Sequence, residues 1–160
     1  MRNRIKTMIL VCMTILLAAS AAGCNFLNAE PQAAEDEIML KIQLDLKEDI
    51  GLLIIHHDVD GHEGGGGISN ADKSMIRHDE TLYWTFGKEF YEGSAETVNM
   101  TLEFAVVKEY CDPNYDNIYP EEYVIPMESI SFSAGFGESC LITITGGNES
   151  GYEAALDNPS

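Results

Sequence analysis

From Glu37 onward the apolar residues of this chain recur at every second position, a period that leaves little choice but β-structure. Ile38, Leu40, Ile42 and Leu44 alternate with Glu37, Lys41, Gln43 and Asp45, and Met39 is the one apolar interruption. Successive side chains of a strand point to opposite faces, so this segment reads as a strand with one dry face and one wet one. Val98, Met100, Leu102, Phe104 and Val106 repeat the pattern. Residues 52–55 (LLII) form a continuous apolar run rich in β-branching, which suits a central strand covered on both faces. Residues 81–86, 130–133, 139–145 and 152–156 complete the set. Asp49 and Gly51 mark a turn between the first two strands, and Gly146-Gly147-Asn148 marks the one joining the last two. Helical periodicity is thin; residues 69–74 offer a single capped turn.

About seven short strands separated by turn signals predict an all-β fold, an antiparallel β-sandwich. An immunoglobulin-like arrangement is one version, and a small β-barrel is the alternative. The immunoglobulin hallmark of a cysteine pair flanking a tryptophan is absent, because Trp84 precedes both Cys111 and Cys140.

The start of the chain is of another kind. Arg2, Arg4 and Lys6 lead into an apolar run from Met8 to Leu17, followed by Ala18, Ala19, Ser20, Ala21, Ala22 and Gly23, and then Cys24. A basic start, a short apolar stretch and a small-residue cleavage region make an export signal. The apolar run, Met8 to Leu17, is shorter than the ~20 residues of a spanning helix. Ala21-Ala22-Gly23-Cys24 resembles the lipobox of bacterial lipoproteins, with Ala21 where leucine usually stands. The resemblance covers the first 24 residues. It implies cleavage before Cys24, acylation of its sulfur, and a protein exported and held by lipid on the extracytoplasmic side of a membrane. The chain then divides into a signal peptide (1–23), a lipidated cysteine with its tether (24–36) and a β-sandwich domain (37–160).

Without Arg2, Arg4 and Lys6, six basic residues remain against 27 acidic ones, a net charge of −21. Such a chain is repelled by nucleic acid and by anionic headgroups, which excludes nucleic-acid binding and leaves the lipid as the membrane contact. Solubility outside the cell explains the acid, and cation capture is the sharper alternative. Cys12 leaves with the signal, so Cys111 and Cys140 are the candidates for a disulfide in an oxidising compartment, with two buried thiols as the competing reading.

Two clusters are candidate sites. The first is His56-His57-Asp58-Val59-Asp60-Gly61-His62-Glu63, followed by Gly64 to Gly67. On a strand, His56 and Asp58 share a face that His57 does not, and a turn at Asp60-Gly61 brings His62 or Glu63 back toward them. A polar hairpin end followed by a mobile glycine loop is the favoured reading. A zinc site drawn from His56, Asp58, Asp60, His62 and Glu63 is the alternative, without any HExxH spacing to support it. The glycines lack the lysine, the following helix and the positive charge of a phosphate loop. The second cluster runs from Tyr110 to Tyr123 (YCDPNYDNIYPEEY). Asp112, Asn114 and Asp116 match the first oxygen ligands of an EF-hand, but Asn117 and Tyr123 break the motif, so a looser calcium site is the most they support. Tyr110, Tyr115, Tyr119 and Tyr123 are candidate contact residues, since tyrosine offers broad contact area at low entropy cost; packing over the sandwich end is the structural alternative.

No nucleophile elbow or comparable catalytic motif occurs, and the sequence argues against an enzyme. The expected role is noncovalent binding at the cell envelope, to another envelope protein, a surface polymer or a small ligand. A calcium- or zinc-binding lipoprotein is the second reading, and a hydrolase with an unrecognised site the third.

Overall fold

A computed structural model describes residues 30–91, 95–109 and 120–157. The strands lie in one compact unit, Gln32–Ser160. The signal segment, Cys24 and residues 110–119 fall outside the described residues, and with them the predicted lipidation, Cys111 and most of the second cluster.

Among the described residues nine strands form two sheets: β1 (Glu37–Leu46), β2 (Leu52–Val59), β3 (His62–Ile68), β4 (Thr81–Gly87), β5 (Thr97–Val107), β6 (Val124–Pro126), β7 (Ile130–Gly135), β8 (Ser139–Gly147) and β9 (Gly151–Asp157). One sheet has the order β4-β1-β8-β9. The other runs β3-β2-β5, with β6 and β7 sharing the far side of β5. The two sheets do not close into a barrel; they face one another as the predicted sandwich.

The period-two pattern does what it predicts. The even residues of β1 from Ile38 to Leu46, and Val98 to Val106 on β5, turn inward. They meet Leu53, Ile55, Ile142 and Ile144 in one core. Ile38, Leu40 and Ile42 are fully buried, each worth about 1.5–3 kcal/mol relative to exposure. The Leu52–Ile55 run does enter a central strand, with β3 and β5 on either side.

Two features depart from the sequence expectation, the β1–β8 pairing and the glycine run. β1 pairs in parallel with β8 and antiparallel with β4, because the chain crosses to the second sheet after β1, returns at β4, and crosses again before coming back at β8. At the crossing, the Asp49 carboxylate accepts from the His78 backbone N–H (2.9 Å) and lies 2.8 Å from its ring Nδ1, which holds the Asp49 carboxyl below its ordinary range. Residues 69–74 form turns and no helix, Lys73 N–H donating to Asn70 O. The glycine run, read as a mobile loop, is strand β3, which with short β6 raises the count to nine. The cause is steric. A Cβ at Gly64 would stand 2.6 Å from His57 Nε2, and one at Gly66 2.7 Å from Trp84 Cη2. Neighbouring side chains occupy the space that side chains on β3 would take.

Candidate functional site

The β2–β3 hairpin carries the first cluster. Asp60 and Gly61 make its two-residue turn with φ of 49° and 86°, the positive pair that matches strand twist and that glycine adopts without strain. Gly61 N–H donates to Asp58 Oδ1 at 2.7 Å. Asp60 Oδ1 accepts from Asn99 N (3.0 Å) and Asn99 Nδ2 (3.2 Å), which ties the turn to β5. Asp60 therefore serves the turn.

The register sorts the rest by face. Val59 pairs with His62, Asp58 with Glu63, His57 with Gly64 and His56 with Gly65; on the other side of β2, Asp58 pairs with Thr101 and His56 with Glu103. Directly opposed residues share a face. His56, Asp58, Glu63, Thr101 and Glu103 thus stand together on the outer face of the five-stranded sheet, around a depression of about 300 Å³. The predicted return of Glu63 toward His56 and Asp58 is what the turn achieves. Thr101 and Glu103 did not stand out in the sequence; the alternation of β5 shows them on a wet face, but which strand lies beside them is a matter of pairing. Among the described residues no group of three His, Cys, Asp or Glu side chains is arranged to hold a metal ion.

His57 and His62 face the other way. The His57 ring meets Phe86 edge-on at 5.0 Å between centroids, and its Nε2 lies 3.3 Å from the Tyr91 hydroxyl. His62 packs edge-on against Tyr91 at 5.9 Å. His57 Nδ1 is buried and has no hydrogen-bond partner among the described residues. Burial lowers the His57 pKa, the neighbouring His56 lowers it further, and Asp58 opposes them. Burial likewise raises the Tyr91 phenol. His57 is thus a neutral ring in an aromatic enclosure at the sandwich edge.

The remaining candidates are scattered. Tyr123 ends a short 3₁₀ turn, Glu121–Tyr123, ahead of β6, where it is half-buried. Tyr110, Tyr115, Tyr119, Asp112, Asn114 and Asp116 lie outside the described residues. Cys140, expected to point inward, is a free thiol half-buried against the core. Burial, with Glu138 adding to it, pushes its pKa up. Among the described residues no helix is long and apolar enough to cross a membrane.

The chain matches no family model. No curated protein sequence matches it either. Among solved structures it is similar to listeriolysin O, at 11% identity and a TM-score of 0.37 over 76% of this chain and 23% of that one. Pneumolysin gives 8% identity and a TM-score of 0.35 over 79% and 24%. The membrane-binding domain of pneumolysin gives 7% and 0.31 over 78% and 96%. This chain spans about a quarter of the listeriolysin O and pneumolysin chains it matches. Likenesses this distant bear on neither its activity nor its partners.

Proposed function

We propose that the protein is a noncovalent binding module, held at the extracytoplasmic face of a membrane by lipid on Cys24, whose contact surface is the outer face of the five-stranded sheet. One observation carries the binding half. His56, Glu63 and Glu103 border the depression on rigid strands, yet among the described residues their side chains make no hydrogen bond or ion pair that holds the fold. Polar groups fixed by strands and left without structural work are what a contact site requires. Their charge selects a cationic or hydroxyl-rich partner over an anionic one. The anchor half is supported by the basic start, the apolar run and the lipobox-like Ala21–Cys24.

An array of cationic peptides and polysaccharides, probed with the full chain in mild detergent, tests the binding half. Retention on defined spots should be lost in the Glu63→Gln/Glu103→Gln variant without any change in melting temperature. A silent array, or equal retention by the variant, would remove this face as the contact surface. Cys24→Ser should release the protein from membranes or block its processing; normal processing with membrane retention would refute the lipid anchor.

A further inference from the structure

We infer that strand β3 is an open docking edge that takes up an extended, basic segment of a partner protein as a tenth strand; this rests on the outer-face binding reading and names the partner's chemistry. The pairing parity shows which backbone groups are available. Asp60 N–H donates to Asn99 O, so the even residues of β2 bond toward β5 and the odd ones toward β3. Val59, His57, Ile55 and Leu53 therefore bond with His62, Gly64, Gly66 and Ile68. The N–H and C=O groups of Glu63, Gly65 and Gly67 are left facing away from β2. β3 ends its sheet, and among the described residues no strand pairs with that side.

Edge strands are usually blunted by lysine, proline, a bulge or a covering element, since a bare edge templates pairing with another chain. β3 reads HEGGGGI, with no lysine and no proline, and is exposed from His62 to Gly67. Four consecutive glycines leave the backbone unscreened, which suits strand addition. The charge beside the edge names the occupant. Glu63 lies on β3 itself, and Asp58 and Glu103 follow on the next two strands of the same face, bordering the depression. Side chains of an added strand alternate faces, so every second one lies beside this acid and the His56 ring, which fills the space at Gly65. Lysine or arginine at those positions gains an opposite charge. A second copy of this chain, at a net charge of −18, brings like charge to like and is disfavoured.

The test uses the full chain in mild detergent and a fluorescent peptide of alternating lysine and valine. Its controls are the same peptide with N-methylated central amides and a glutamate-for-lysine version. The parent peptide should bind saturably, and N-methylation, which removes ladder donors while keeping the charge, should weaken it by at least about tenfold. The glutamate version should not bind. Gly67→Pro removes an edge-facing N–H; a Cβ there meets Leu52 Cδ1, a flexible side-chain end, at 3.0 Å. That variant should weaken the parent peptide comparably, and exposed Glu63→Lys should weaken it through charge alone. Equal binding of parent and N-methylated peptides would overturn strand addition while leaving the acidic-face reading intact. No binding of the lysine peptide would overturn the proposal outright. A dimer seen by light scattering and dissolved by Gly67→Pro, without peptide binding, would also overturn it and seat a second copy on the edge.

Discussion

Replacing Gly66 by alanine tests why a run of glycines becomes a strand. A Cβ at Gly66 would stand 2.7 Å from Trp84 Cη2, with Cζ3 and Cζ2 following at 3.5 and 3.6 Å. Ordinary carbon contact begins near 3.5 Å, so the indole must withdraw by most of an ångström. Overpacking of this kind costs about 1–3 kcal/mol. Against it stands about 0.5–1 kcal/mol gained because alanine is less costly to order than glycine in a strand. The net expectation is a loss of about 1–2 kcal/mol, or roughly 4–8 °C in Tm for a domain of this size. Trp84 is the only tryptophan in the chain, so its emission should shift to the red as the ring moves into water. The sign should depend on the ring. In a Trp84→Ala background the clash vanishes, and Gly66→Ala should become neutral or stabilising by about 0.5 kcal/mol. Thermal or urea unfolding followed by circular dichroism reads all four corners of the cycle. If Gly66→Ala costs the same with and without the indole, the close approach of Trp84 is not the reason that position is glycine.

His57 should make the domain acid-sensitive. Its folded pKa lies below the 6.5 of an unperturbed histidine, so the unfolded chain binds the proton more tightly. That part of the stability is complete above about pH 6.5 and is lost as pH falls from there through the folded pKa. His57→Phe should remove this part of the pH dependence, and a wild-type slope retained in the variant's urea unfolding would count against the assignment. Asp60→Ala loses two hydrogen bonds to Asn99 and puts alanine at a positive φ, for about 1–3 kcal/mol; Asp60→Gly should lose less, because only the bonds are gone. Equal melts for the two variants would leave backbone strain without a role. The Cys140 thiol, raised by burial, should be alkylated more slowly than a free cysteine at mildly alkaline pH and at the ordinary rate once unfolded, as read by peptide mass mapping. Labelling of the native chain at the free rate would show the thiol to be open.

How much of the molecule was legible in advance depended on how local each signal was. Alternation at residues 38–44 and 98–106 showed both the strand and its buried face, because the period of a strand is carried by the segment itself. The separation of His56 and Asp58 from His57, and the return at Asp60-Gly61, were legible for the same reason. The glycine strand was not: glycine has no side chain with which to show a period. What makes β3 a strand belongs to others, namely the His57 ring beside Gly64 and the Trp84 ring over Gly66.

By itself, then, the sequence determined the all-β class, the strands that alternate, the faces they bury and the excess of acidic residues. The tertiary structure alone decided which strands lie side by side. It set β1 against β8 in parallel, brought Thr101 and Glu103 beside Asp58 and His56, and enclosed His57 between Phe86 and Tyr91. Pairing joins segments far apart in the chain, and its energy comes from the fit of two surfaces, of which any one segment carries only half.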